Sequence, residues 1–418
     1  MPMNSVVIVG AGHAGFQTAA SLRQEGFEGR ITLIGDEPGL PYQRPPLSKT
    51  YLLGKIGPDA LWFRSENYFA EHRIELVHDR AEAIERRDQR VRLASGATVA
   101  YDRLVLAVGA RNRCLAVPGI DLDGVFGLRS VANADTLGVR IKQARHVAVV
   151  GAGFIGLEFA AAARALGAEV DVIELTDRPM ARGLSREMSR FFAQALAADG
   201  IRLRLQDATV CIHGNDGRVC GLDTMSGERL PAELIVIGVG IIPNVELAAE
   251  AGLDVENGVK TDQALLTSDP VISAVGDCAC FPNPSTGVPT RLESVQNATD
   301  HARTVAAQMM GKPVCYGAVP WFWTEQGSRK LQMAGLVDGY DTAVTIGNVD
   351  EYSFSVLCFR DGRLIAVESL NRSVDHIVAR RLLACSGSLP SPAEASAAHF
   401  DLRSWETAHN NNRMKSTK

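Results

Sequence analysis

The chain has 418 residues, 46% of them hydrophobic and 22% charged, a soluble globular balance too long for one ordinary core, so about two to four domains are expected. A net charge of −5 leaves no global basic field and argues against nucleic acid as a partner. Eight cysteines (114, 211, 220, 278, 280, 315, 358 and 385) contain no CxxC, and nine histidines are scattered without ligand spacing, so reduced thiols and no metal site are expected. No basic region precedes the N-terminal apolar run. The most hydrophobic stretch, residues 147–166, is broken by Gly151, Gly153, Gly156, Glu158 and Arg164. Neither a signal peptide nor a membrane span is therefore expected, and the cytoplasm is the expected location.

The first element is Val6-Val7-Ile8-Val9, four apolar residues that read as a buried parallel strand, followed by Gly10, Gly12 and Gly15 at GxGxxG spacing. Residues 14–24 read as a helix and 31–34 as a second strand, with Asp36 lying 21 residues past Gly15. Gly10 permits the tight turn, Gly12 lets a pyrophosphate approach the backbone, and Gly15 lets helix and strand lie close. The phosphates sit on the helix N-terminus, and the acid accepts hydrogen bonds from a ribose.

Residues 42–49, Tyr-Gln-Arg-Pro-Pro-Leu-Ser-Lys, form a proline-stiffened turn in which Ser48 can cap the next segment and Lys49 is delivered at a fixed place. Lys49 reads equally as a cation beside a flavin ring or as a solvated loop lysine. Residues 59–73 read as a helix, 74–77, 91–93 and 104–107 as strands. Leu104 to Gly109 is taken as the last strand before the chain crosses over.

Val147 to Gly156 repeats the glycine pattern with Gly151, Gly153 and Gly156, and Val170-Asp171-Val172-Ile173-Glu174 closes it with another acid. Two such units imply two bound dinucleotides with hydride passing between them. Glu158 lies seven residues after Gly151, about two turns into an otherwise apolar helix. A charge there is costly unless paired, and Lys49 would satisfy both; the alternative is an exposed residue on the outer helix face. Glu174 suits the ribose hydroxyls of NADH and repels the phosphate of NADPH, while Arg178 works against that preference.

Further on, 234–237 is a buried strand leading into a glycine-proline turn. Residues 267–277 read as a strand ending in Asp277, an acid suited either to a ribityl chain or to capping a helix. Residues 293–310 read as a long helix. From about 320 the pattern changes: Trp321-Phe322-Trp323 opens an antiparallel sheet through 330–337, 342–346, 352–359 and 363–369, closed by a helix at 373–384. The fold class is α/β, with two Rossmann-like dinucleotide-binding domains and a C-terminal antiparallel sheet/α domain. The divisions expected are 1–110 and 241–318 for the first nucleotide domain, 111–240 for the second, 319–403 for a C-terminal domain, and a mobile tail over 404–418.

Both nucleotide motifs, Arg44-Pro45-Pro46-Leu47-Ser48-Lys49, Gly276-Asp277 and Trp321-Phe322-Trp323, taken in order, resemble ferredoxin reductases of the putidaredoxin reductase type with a glutathione reductase-like fold, over residues 4–400. The resemblance implies an FAD-dependent NADH:ferredoxin oxidoreductase, an electron-transfer component of cytochrome P450 or ring-hydroxylating dioxygenase systems. It places FAD on Gly10, Gly12, Ala14, Gly15, Asp36, Arg44, Lys49, Ala81, Arg129, Asp277 and Val295. It places NADH on Gly151, Gly153, Ile155, Gly156, Glu158, Glu174 and Gly240. It also implies a Lys49–Glu158 ion pair near the flavin, and Trp323 near the flavin where a [2Fe–2S] ferredoxin docks. Arg329, Lys330 and Arg372 are the candidate docking cations for that acidic partner. Residues 39–50 carry no cysteine, so disulfide and peroxide chemistry lack their nucleophile. Two alternatives remain: a rubredoxin reductase, and an NADH-binding flavoprotein resembling apoptosis-inducing factor.

Overall fold

The computed structural model describes residues 3–283, 287–385 and 387–416, with backbone alone over 410–416. The chain divides into two compact units. One comprises Met1–Gln43, Pro58–Arg111 and Ile241–Ala318; the other Arg44–Gly57, Asn112–Gly240 and Val319–Lys418. The segments expected as a second nucleotide domain and a C-terminal domain thus share one unit, together with the Arg44–Gly57 turn.

The first unit is built on a parallel sheet in the order Ile272–Ala274, Arg103–Leu106, Ser5–Val9, Arg30–Gly35, Ile74–His78. Val6 and Ile8 enter one core with Phe16, Leu22, Ile31 and Leu33, while Val7 and Val9 enter another with Leu104, Leu106 and Ile272. Burial on both faces is why the strand reads as a continuous apolar run rather than an alternation. The helices His13–Gln24 and Val295–Met309 share the first of these cores through Phe16, Ala19, Ala298 and Val305.

The second unit repeats the plan with His146–Val150 at the centre of a parallel sheet, between Glu169–Glu174 and Leu234–Ile237. It also holds an antiparallel sheet in the order Trp321–Gln326, Arg329–Gly335, Arg363–Leu370, Ser353–Arg360, Thr342–Asn348. The helix Ser373–Ala384 packs on that sheet through Val378, Ala379 and Leu382.

Two local expectations are corrected. Residues 59–73 are not one helix: a 3-10 turn at Pro58–Leu61 precedes a short helix at Glu66–Glu71. The reason is that Trp62 bridges to Tyr42 and the Phe63 N–H donates to the Pro41 carbonyl, so these backbone groups serve strand-like pairing. The strand expected over 267–277 shrinks to Ile272–Ala274, because residues 267–271 close a turn, with the Ile272 N–H donating to the Asp269 carbonyl and the Thr267 N–H to the Ile272 carbonyl, and Gly276 turns the chain at φ +73°. Over the segment expected as a mobile tail from residue 404, the backbone is helical, Leu402–Ser416. Trp405 packs on the C-terminal core, and buried Glu406 pairs with Arg381.

Candidate functional site

In the first glycine turn, Gly10 has φ +109°, and a Cβ there would collide with the Ala107 carbonyl; a Cβ on Gly15 would collide with the Gly10 carbonyl. Both glycines are demanded by the fold itself. At Gly12 a Cβ would meet nothing within 4 Å, so packing within the chain does not demand that glycine. It caps the helix His13–Gln24, whose N-terminus has no side-chain cap and no acid in its first turn. An open glycine beside an uncapped helix start is the cradle a pyrophosphate requires, so the residues present fit FAD. Asp36 follows the Arg30–Gly35 strand as an exposed carboxylate. Ala81 opens the strand Ala81–Glu85.

Asp277 lies in a 3-10 turn whose Gly276 nestles against Ala14 and Ala298, and its carbonyl accepts a hydrogen bond from Arg291 at 3.2 Å. Val295 is the first residue of its helix, behind the Ser294 cap. Sequence reasoning missed His301. Its Nδ1 accepts the Gly276 N–H at 3.2 Å, its ring lies edge-on to Phe281 and Tyr316, and burial pushes its pKa down to about 3. A neutral imidazole thus fixes the backbone of the Gly276–Asp277 turn. The only trace in the sequence was one histidine on the apolar face of the 295–309 helix.

The second unit carries the same geometry. Gly151 has φ +102°, a Cβ on Gly151 would press on the Gly238 carbonyl and one on Gly156 on the Gly151 carbonyl, while Gly153 has its nearest neighbour at 3.8 Å. The helix Phe154–Ala165 also lacks a side-chain cap, and Ile155 beside its start is 46% exposed. These residues fit a second dinucleotide. Glu174 accepts from the Ala152 N–H at 2.7 Å and from the Thr176 N–H and hydroxyl at 2.8 Å. Arg178 donates to Asp177 at 3.1 Å and to the Ala181 carbonyl at 2.9 Å. Gly240, at φ +100°, lies next to the Arg182 guanidinium.

Lys49 follows the 3-10 turn Pro45–Ser48. Its Nζ donates to Glu158 Oε2 at 2.7 Å and to the Pro45 carbonyl at 3.2 Å. Glu158 is 5% exposed, so the reading as an outer-face residue is excluded. Two further donors, not anticipated, reach it: the Ser48 hydroxyl at Oε2 and the Thr324 hydroxyl at Oε1, both at 2.6 Å. Arg44 in the same turn donates to the Arg129 carbonyl at 2.8 Å. Trp323 is half-buried, with its ring centroid 5.7 Å from that of Trp321.

One of the three docking cations is corrected. The Arg329 side chain is 7% exposed and donates to both Asp199 oxygens, at 2.5 and 2.8 Å, at the C-terminal end of the helix Arg186–Ala198; a cation there answers the helix dipole, not a partner. Arg372 is bound to buried Asp375 at 2.6 Å. Lys330 is 49% exposed, 3.9 Å from Glu325.

Residues 4–302 match the pyridine nucleotide-disulphide oxidoreductase family, and residues 321–405 match a reductase C-terminal family. The chain belongs to the pyridine nucleotide-disulphide oxidoreductase family. It is 49% identical over 400 residues to the rhodocoxin reductase of Rhodococcus erythropolis, covering 96% of this chain and 93% of that one. Among solved structures, the ferredoxin reductase for the CYP199A2 system of Rhodopseudomonas palustris is similar with a TM-score of 0.94 at 49% identity, covering 96% of this chain and 100% of that one. The covalent putidaredoxin reductase–putidaredoxin complex is similar with a TM-score of 0.94 at 35% identity, covering 97% and 99%. The glutathione reductase-like fold and its C-terminal antiparallel sheet are those of this family. The disulphide of the family name has no counterpart on the Arg44–Lys49 turn, where serine and lysine stand, and no cysteine pair is bonded among the described residues. Among those residues no helix is long and apolar enough to cross a membrane, and no cluster of metal-ligating side chains occurs.

Proposed function

We propose that this protein is a flavoprotein ferredoxin reductase that takes electrons from NADH through FAD and gives them singly to a [2Fe–2S] ferredoxin serving a cytochrome P450 or another oxygenase. One observation carries the reading: a single chain holds two complete glycine cradles and a proline turn that has no thiol, so electrons entering from a nicotinamide must leave to an outside acceptor. Similar proteins are named a rhodocoxin reductase and a ferredoxin reductase for the CYP199A2 system.

The chemistry supplied by bound FAD is the conversion of one two-electron donation into two one-electron transfers. The chain's own residues bind, orient and bias. Gly12 and Gly153 open the backbone to the two pyrophosphates, and the uncapped helix starts beside them favour the phosphate charge. Asp36 and Glu174 take the riboses. The Glu174 carboxylate is held by Ala152 and Thr176, so it meets an added 2′-phosphate as a fixed negative charge, while Arg178 is engaged by Asp177 and Ala181. Both features support NADH over NADPH. By the resemblance, Lys49, held by Glu158 and the Pro45 carbonyl, would supply a fixed positive charge to bound flavin, an electrostatic role that costs no reorganisation during the reaction. Trp323 and Lys330 are proposed for the docking side, where a weak, salt-sensitive contact suits repeated release.

The test is anaerobic. Purified protein is mixed with NADH or NADPH, then with a panel of [2Fe–2S] ferredoxins and a rubredoxin, following flavin bleaching and acceptor reduction. Rapid bleaching by NADH, slower bleaching by NADPH and transfer to a ferredoxin support the reading. Transfer to rubredoxin alone makes the protein a rubredoxin reductase. Slow bleaching with a long-lived charge-transfer band and no acceptor reduced overturns the reductase assignment.

A further inference from the structure

We propose that Thr324 is a positioning residue for hydride transfer: its hydroxyl locks the Glu158 carboxylate so that the Lys49 ammonium stays in place. The functional half of this inference rests on the ferredoxin reductase reading above; the geometric half stands on the structure.

Glu158 presents two oxygens with unequal support. Oε2 receives Lys49 at 2.7 Å and Ser48 at 2.6 Å, both from the same short turn. Oε1 accepts from the Thr324 hydroxyl at 2.6 Å, from a strand 166 residues further along the chain. The terminal torsion of a glutamate is broad and roughly two-fold, so donors at one oxygen alone leave the carboxylate plane soft. A second anchor at the other oxygen stops that rotation. Thr324 is fully buried, so water does not substitute for its hydroxyl, and an unmade hydrogen bond to a buried carboxylate oxygen is costly.

Thr324 is itself held by strand geometry. Successive side chains of Trp321–Gln326 alternate between faces, and Phe322, two residues earlier on the face of Thr324, packs on Phe154 with ring centroids 4.8 Å apart. Phe154 and Glu158 are four residues apart on one helix, hence on one side of it. The strand therefore meets the helix on an apolar rung, Phe322–Phe154, and a polar rung, Thr324–Glu158. The apolar rung fixes the distance, and the polar rung fixes the carboxylate.

The test compares wild type with Thr324→Val, which keeps volume and β-branching but removes the donor, and Thr324→Ser, which restores it. Two readouts are taken on the full-length protein. The first is the rate of Lys49 acylation relative to the exposed Lys55, followed by peptide mass spectrometry, which needs no turnover. The second is flavin bleaching at varied NADH. Thr324→Val is expected to speed Lys49 labelling several-fold and to slow bleaching at saturating NADH roughly tenfold, as misplacement of a positioning group does. KM for NADH should stay within about twofold, and Thr324→Ser should restore both readouts. Unchanged Lys49 labelling in the valine variant overturns the inference, as does either readout moving without the other, or a serine variant that behaves like valine. If wild-type flavin is not bleached by NADH, the reductase reading falls instead, and the labelling ratio alone decides whether Thr324 holds the pair.

Discussion

The two glycine units share a backbone plan and differ in what they need from the rest of the chain. In both, the first glycine sits at positive φ, the third is packed against the first, and the second faces open space. Seven residues after the first glycine the first unit has Gln17, whose amide donates to Ser21 on its own helix at 2.9 Å. The second has Glu158 at the same place, a buried charge served by three donors from two distant segments. The acids after the second strands differ too: Asp36 is exposed, whereas Glu174 is tied to its own glycine loop and turn. One motif thus specifies a fold twice, while the charge balance at each copy is set by segments the motif does not contain.

The sharpest way to break this comparison is at the glycines. Gly15→Ala drives a Cβ into the Gly10 carbonyl and should cost about 3 kcal/mol or more, leaving little folded protein. Gly12→Ala meets open space and should keep the melting temperature of flavin-free protein while losing FAD; full flavin content in the purified variant would refute the cradle.

Next come the helix positions. Glu158→Gln should cost about 1–3 kcal/mol in denaturant unfolding and slow flavin bleaching, whereas Gln17→Leu should cost under about 1 kcal/mol. Equal effects would remove the asymmetry between the units.

A third test uses another buried acid of the second unit. Glu368 accepts from the Ser185 N–H at 2.9 Å and from its hydroxyl, at the start of the helix Arg186–Ala198. Burial pushes its pKa up to about 7, opposed by the Ser185 hydrogen bonds and assisted by Glu187. A carboxyl raised in the folded state stabilises the fold when protonated. Its contribution is full below the unfolded value of about 4.3 and is lost as pH rises through about 7. Wild type should therefore lose on the order of 2 kcal/mol from this group between pH 5 and 8, and Glu368→Gln should lose that share of the slope. Parallel unfolding curves for the two proteins would contradict it.

The smallest effect is at the second acid. Glu174→Ala should shift the NADH-to-NADPH preference roughly tenfold toward NADPH, about 1.4 kcal/mol, read from initial bleaching rates with each nucleotide.

The nucleotide units were legible because everything that defines them is local: four apolar residues, three glycines and an acid within 35 positions or so. The Lys49–Glu158 pair was legible for a different reason, since a charge inside an apolar helix needs a partner and the rigid proline turn offered one. Thr324 was not legible, because nothing near it in sequence marks a hydroxyl that meets a carboxylate 166 residues away. Arg329 misled for the same reason in reverse: its partner Asp199 lies 130 residues off, so a buried arginine looked like a surface cation. The helix expected over 59–73 failed because Trp62 and Phe63 use their backbone groups on residues 41–42, which no helical periodicity reveals.

The Trp321–Gln326 strand has a consequence for how such a protein changes over time. One face carries Trp321 and Trp323; the other carries Phe322 and Thr324 against the helix that opens at Gly153. Inserting or deleting a single residue there would exchange the faces, removing the hydroxyl from Glu158 and burying a tryptophan in its place. Change in this strand is thereby steered toward point substitution and away from length change, so the strand should drift in identity while keeping its length.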